Sequence, residues 1–293
     1  MTNIKKIIVV GGTGFTGTQV LKQLENIENI EVTCLVRSHN KTVLWSGKNP
    51  LKIVIGDLDD AASLEVAFKG QDSLIFVASM GFGQMQNVVK ACELNNVKRA
   101  VFTSSTAIYT QLPAQSKDGR EMGEKHVVQS GISWTILRPT MIYGRKGDRN
   151  VERLIRNLKR FPVFFIPGSG EALQQPIFVD DVAKATIQSL NTEKTICMAY
   201  NISGKNSLTF NELVQTTSLA LNRNVRIIHL PLWPMRLLIK FYNFLTKKPK
   251  ITEEQLLRLN ENKAFDHKEA VQDFNFTPLS FHEGIRALVT EIS

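Results

Sequence analysis

The chain has 293 residues, of which 43% are hydrophobic and 22% charged, and a formal net charge of +9. That composition suits one large α/β domain, or one such domain with a smaller lobe. It contains no apolar run near the roughly 20 residues that span a bilayer.

The first strand-like run starts almost at the N-terminus, which leaves no room for a leader and makes the cytoplasm the expected location. Cys34, Cys92 and Cys197 are far apart and show no CxxC or Cys/His spacing, so they are expected to be buried small hydrophobes, with no metal site. No nucleic-acid-binding motif is present, so no nucleic-acid partner is expected.

Lys5 to Val10 form an apolar, β-branched run that stops at Gly11-Gly12-Thr13-Gly14-Phe15-Thr16-Gly17, and helical spacing follows over Thr18–Ile27. Strand, glycine turn and helix in that order make a site for a dinucleotide diphosphate. Gly11 permits the sharp turn, Gly14 lets the backbone approach the anion, and Gly17 brings helix and strand close. Further strands are predicted over Glu31–Val36, Leu51–Ile55, Ser73–Ala78, Arg99–Thr103 and Ser133–Leu137. Helices are predicted over Ala61–Lys69, Met85–Asn95 and Arg120–Ser130. Repeated βα units of this length imply a Rossmann-type, doubly wound parallel sheet. Past Gly144 the pattern loosens, with helices predicted near Asp180 and over Leu213–Leu221, Trp233–Leu245, Glu253–Leu259 and His282–Val289. The expected division is a dinucleotide-binding core over residues 1–145. A smaller, mostly helical lobe spans 146–293, interleaved with returning core elements at about 172–202.

In such a fold the ligand lies beyond the carboxyl ends of the strands. After the second strand come Arg37 and Ser38, with His39 and Lys41 nearby. A cation and a hydroxyl there favour the 2′-phosphate of NADP over the ribose hydroxyl of NAD. Asp57 and Leu58 after the third strand suit adenine, and Ala78 and Ser79 after the fourth let a ribose or diphosphate pass closely.

Five motifs, GGTGFTG at Gly11–Gly17, GDL at Gly56–Leu58, TSSTAIY at Thr103–Tyr109, WTILRPTMIYG at Trp134–Gly144 and QPIFVDDVA at Gln175–Ala183, occur in register. Together they resemble the extended and atypical short-chain dehydrogenase/reductases of the NAD-dependent epimerase/dehydratase branch, in particular members related to the complex I 39-kDa subunit and NmrA-like proteins. The likeness covers nearly the whole chain, because Leu230 to Ala287 also resembles those members. It implies that Thr103, Ser104, Arg120, Pro139, Thr140 and Met141 face the cofactor and that Ser105 orients a substrate oxygen.

Enzymes of this family use a YxxxK pair, whose phenol moves a proton and whose lysine lowers the phenol's pKa and holds the nicotinamide ribose. Counting back from Gly123-Glu124 puts Ser116 at the Tyr position and Arg120 at the Lys position. A serine hydroxyl cannot replace a phenol as an acid near neutral pH, and an arginine cannot shuttle a proton. Tyr109 and Tyr143 are the nearest phenols, so Ser105 and Tyr143 are the candidate catalytic residues. Asp180 and Asp181 look like a carboxylate pair, but Asp180 stands where a helix N-cap would, so a structural role is expected.

Two basic stretches stand out. One runs from Arg138 to Arg160, and the other lies between Glu212 and Glu253, where no acidic residue occurs. Within the second, residues 233–248 combine an apolar stripe with Arg236, Lys240, Lys247 and Lys248. Ordinary packing is the first reading of the stripe, and an anionic lipid surface, a partner subunit or a cap over the substrate pocket are the alternatives. Two functions are carried forward. One is an NADP(H)-dependent oxidoreductase or epimerase-like enzyme acting on an unidentified small molecule. The other is a non-catalytic NADP(H) sensor or scaffold.

Overall fold

The computed structural model describes residues 5–38, 43, 45–112, 115–246 and 253–292. The first half alternates β1 (Lys5–Val10), α1 (Phe15–Leu24), β2 (Ile30–Val36), β3 (Leu51–Ile55), α2 (Ala61–Phe68), β4 (Ser73–Phe76), α3 (Met85–Leu94), β5 (Arg99–Thr103), α4 (Gln115–Val128) and β6 (Ser133–Pro139). Next come β7 (Ile142–Tyr143), α5 (Val151–Arg160), β8 (Val163–Pro167), β9 (Leu173–Gln174), β10 (Ile177–Phe178), α6 (Val179–Leu190), β11 (Met198–Ile202) and β12 (Leu208–Thr209). The chain closes with α7 (Phe210–Ala220), β13 (Arg226–Leu230), α8 (Leu232–Leu245), α9 (Glu253–Leu259), α10 (Lys268–Phe274) and α11 (Phe281–Ile292).

Seven strands form one parallel sheet in the order β11-β6-β5-β4-β1-β2-β3, which reverses direction between β1 and β4. Alternation along β1 explains why helices cover both faces. Ile7 and Val9 point into a core with α1, α6 and α10, whereas Ile8 and Val10 point into one with α2, α3 and α4. A third core joins α5, α7 and α11 to β7, β8 and β10, and forms the lobe. Two late elements return to the dinucleotide-binding half: α6 packs along α1, and β11 pairs with β6. Local chemistry sets several helix starts. Asp60 accepts from the backbone of Ala62 and Ser63 ahead of α2, and Thr209 with Glu212 forms a reciprocal cap on α7.

The amino end of β5 is tied down by a buried cation. Arg99 donates to the carbonyls of Ala100 (3.0 Å), Ser133 (2.8 Å) and Ser189 (2.8 Å), and to the hydroxyls of Thr135 (2.6 Å) and Thr195 (2.8 Å). Burial lowers its guanidinium pKa to about 10. One side chain thus clamps two sheet strands to the end of α6.

Three expectations are corrected. Helix α4 starts at Gln115, ahead of Arg120. Phe178, not Asp180, holds the N-cap of α6; Asp180 lies inside the first turn, where its carboxylate pairs with Arg145. Cys34 and Cys92 are buried, but Cys197 is exposed in the left-handed backbone region with φ +58°. It sits at the turn into β11, where tertiary pairing rather than side-chain burial dictates the conformation.

Candidate active site

The glycine turn is shaped by backbone contact. Gly11 has φ +87°, and a Cβ on it would lie 2.7 Å from the Ala78 nitrogen, so the turn rests against the chain leaving β4. A Cβ on Gly17 would lie 2.0 Å from the Gly11 carbonyl oxygen. Gly14 stands at the N-cap of α1, with no side chain capping the helix. The N–H groups of Phe15 and Thr16 in the first turn therefore suit an external anion. Thr13, Gly14 and Phe15 line a cleft of about 550 Å³ whose other wall is Ile142 and the segment from Arg145 to Asn150. Lys146 and Arg149 are exposed there, whereas Arg145 is held by Asp180 and by Glu291 at 2.8 Å. The sequence marked this stretch as basic, but gave no sign that it faces the glycine turn.

Further along the carboxyl edge, Arg37 and Ser38 are exposed directly after β2, and His39 and Lys41 lie outside the described residues. The Asp57 carboxylate is exposed and accepts from the Asp59 N–H (3.0 Å). Leu58 is half-buried, its carbonyl accepting from Asn87 (3.0 Å). Ala78 is half-buried, and Ser79 caps a short 3₁₀ turn over Met80–Phe82. The residues expected to follow β1 to β4 are thus brought to one edge of the sheet.

At the end of β5, Thr103 and Ser104 are buried, yet among the described residues Thr103 Oγ1 and Ser104 Oγ have no hydrogen-bond partner. Such hydroxyls are costly when left unpaired. With the bare N-terminus of α1, they fit a polar dinucleotide lying along this edge. Ser105 caps the 3₁₀ turn Thr106–Tyr109, its Oγ accepting from the Ala107 N–H at 3.2 Å, which leaves its own O–H to donate. Pro139 ends β6. Thr140 is buried and donates through Oγ1 to the Gln175 carbonyl and through N–H to that of Ile202 (3.1 Å), and Met141 beside it is half-buried. Arg120 is half-buried on α4; burial and the charge of Arg258 lower its pKa. Ser116 belongs to the same helix, one turn earlier, and its side chain lies outside the described residues.

The two phenols part company. Tyr143 is sealed between Phe178 and Phe281, with ring centroids 5.6 and 5.2 Å away and Gly284 of α11 against its hydroxyl. Burial, with the charges of Asp181 and Asp148 behind it, pushes its pKa far up. The expectation that Tyr143 serves catalysis is therefore corrected: it is a fully buried core residue. Tyr109 is 39% exposed. Its Oη accepts from Arg138 Nη1 (2.9 Å) and donates to Asn201 Oδ1 (3.2 Å), while Arg138 is held by Glu124 in a two-pronged pair of 2.6 to 3.1 Å. Phe265, from the segment after α9, stacks against the Tyr109 ring at 5.4 Å. Sequence reasoning named Tyr109 but missed Arg138, Asn201 and Phe265, because their meeting is a tertiary event.

Beneath Tyr143, the buried Asp181 carboxylate accepts from the Leu279 N–H at 2.8 Å. Burial raises its pKa to about 6, against the Leu279 hydrogen bond and with the negative charge of Asp180 adding to the rise. A carboxyl raised in the folded state favours folding below the unfolded value near 4, and that contribution is lost as pH climbs through about 6. Asp181→Asn is expected to remove about 2 kcal/mol of the stability lost between about pH 4 and pH 7, read by urea denaturation.

A profile of the NAD(P)H-binding family matches residues 11–193, more than half of the chain. Over 265 residues the chain is 24% identical to N-acetyl-α-D-glucosaminyl-diphospho-ditrans,octacis-undecaprenol 4-epimerase of Escherichia coli O157:H7, covering 79% of this chain and 77% of that one. Over 231 residues it is 26% identical to the NAD(P)H azoreductase of Xenophilus azovorans, covering 77% of each. Among solved structures, it is similar to the UDP-N-acetylglucosamine 4-epimerase of Methanobrevibacter ruminantium M1, solved with UDP-N-acetylmuramic acid. The TM-score is 0.76 at 21% identity, over 100% of this chain and 99% of the other. That likeness speaks for the fold.

Proposed function

The chain belongs to the NAD(P)H-binding family, within the atypical short-chain dehydrogenase/reductases of the epimerase/dehydratase type, and from that premise we propose that it is an NADP(H)-dependent oxidoreductase. The glycine turn would hold the diphosphate, and Arg37 with Ser38 the 2′-phosphate; Asp57 and Leu58 would border adenine. Thr103, Ser104, Arg120 and Pro139–Met141 would flank the nicotinamide half. When bound, the nicotinamide supplies or accepts a hydride. The chain's own part is to orient the substrate oxygen through Ser105 and to exchange a proton with it through Tyr109, whose phenol is fixed by Arg138 and Asn201. The observation that carries this reading is the exposed, oriented Tyr109 four residues after Ser105, at the edge that bears the glycine turn.

A second reading, a non-catalytic NADP(H) sensor, is favoured by Ser116 and Arg120 standing where the family places its Tyr and Lys. Fluorescence titration is expected to show NADPH binding about tenfold or more tighter than NADH, and Arg37→Ala should erase the difference. Equal affinities in the parent protein would overturn the NADP assignment. Turnover is assayed first with diphosphate-linked sugars and azo compounds, the substrate classes named for the two relatives. Activity should fall about a hundredfold or more in Tyr109→Phe. Activity unchanged in both Tyr109→Phe and Ser105→Ala would remove these residues from the mechanism, and tight NADPH binding without turnover would favour the sensor.

A further inference from the structure

The lobe carries an apolar surface that the cofactor site does not use. Strands β8 and β13 pair in parallel, with Val163 opposite Arg226, Phe165 opposite Ile228 and Pro167 opposite Leu230. Because side chains alternate across a strand, Phe164, Ile166 and Ile227 fill the third core, and the other set faces away from it. On that outer face Phe165 is 55% exposed. Strand β13 runs through Pro231 directly into α8, where Trp233 is 71% and Leu237 60% exposed. The two are four positions apart and share one side of the helix. Three large apolar groups are thus presented to water by β8 and by the helix that follows directly on its partner strand β13.

Several exposed cations accompany them on the same and neighbouring elements. Arg223, Arg226 and Arg236 are exposed, and at the end of α5 Lys159 and Arg160 are exposed next to Phe161, over whose ring the Arg160 guanidinium lies at 5.2 Å. From residue 213 to residue 252 the sequence has no acidic side chain. Cations beside Trp, Phe and Leu match an anionic headgroup layer over an acyl boundary. A symmetric contact between two copies would instead bring these cations face to face. Helix α8, with 14 residues, is about 21 Å long and falls short of a bilayer core, so it would lie in the interface plane. Among the described residues no helix is long and apolar enough to cross a membrane.

We propose that the β8–β13 outer face and the exposed side of α8 dock this protein onto the surface of an anionic phospholipid bilayer. The docking is peripheral and reversible, and it is independent of whether the glycine turn prefers NADP. The test uses the full chain in co-sedimentation with vesicles of phosphatidylcholine alone or mixed with phosphatidylglycerol. Binding to the anionic vesicles is expected to exceed that to the neutral ones about tenfold and to weaken as salt rises. Trp233→Glu and Phe165→Glu change exposed side chains; each is expected to lower anionic-vesicle binding about tenfold with NADPH affinity unchanged. Arg226→Glu should have a similar effect and separates charge from apolar contact. Equal binding to both vesicle types, or to neither, would overturn the proposal. So would self-association in size-exclusion chromatography that Trp233→Glu abolishes without any vesicle binding, which would give the face to a second copy of the chain.

Discussion

Gly17→Ala is expected to lower the stability of the protein by about 2 kcal/mol or more and to abolish measurable NADPH binding. The added methyl would sit 2.0 Å from the Gly11 carbonyl oxygen and 2.7 Å from both the Gly11 carbonyl carbon and the Gly12 Cα. All three are backbone atoms of a turn already pressed against Ala78, so no rotamer change relieves the contact. The first turn of α1 must back away from β1, and the N–H groups that would meet the diphosphate move with it. Gly131→Ala provides the control. A Cβ at Gly131 meets nothing within 4 Å, and its change should stay within about 0.5 kcal/mol. Urea denaturation and NADPH titration of the two variants make the comparison. Comparable stabilities would mean that the close packing of α1 on the turn does not constrain the fold.

Arg99→Met should act on stability alone. The change strips donors from three carbonyls and two threonine hydroxyls at the base of the sheet. Methionine fills much of the volume but satisfies none of those acceptors, so a loss of about 3 kcal/mol is expected. Arg99→Lys, with a shorter reach and no fork, should recover only part of it. Arg99 opens β5, whereas the cofactor edge begins where that strand ends, so the NADPH affinity of the folded variant should match the parent. A loss under about 1 kcal/mol would show that water replaces the clamp without penalty.

The elements that the sequence revealed are those in which local and long-range demands agree. Leu51–Ile55 and Arg99–Thr103 are continuous strand-forming runs bounded by turn signals, and both are strands over those residues. The start of α4 was obscured because Gln115 to Gly119 is polar and ends in a helix-weakening glycine. Asp180 has the chemistry of a cap, but Arg145, 35 residues earlier, claims its carboxylate. Tyr143 follows a strand in a family motif, and only the arrival of α11 buries it. Likewise, β8 and β13 are short and almost 60 residues of chain separate them, so nothing local announces their pairing. The carboxyl edge of the sheet was legible because its residues follow directly on strands; the Tyr109–Arg138–Asn201 cluster was not, because it joins three separate segments.

Helix α4 carries one more implication. A Cβ on Gly119 would lie 2.4 Å from the Gly81 carbonyl oxygen, and one on Gly123 would lie 2.9 Å from that of Met80. The helix is therefore seated directly on the turn after β4, with positions 116 and 120 one helical turn apart upon it. At the two positions where the family resemblance implies a Tyr and a Lys, this seated helix carries Ser116 and Arg120. Ser116→Tyr with Arg120→Lys would therefore set the family's pair on a helix whose seat is already fixed by two glycines, a two-residue change that needs no movement of the backbone beneath it.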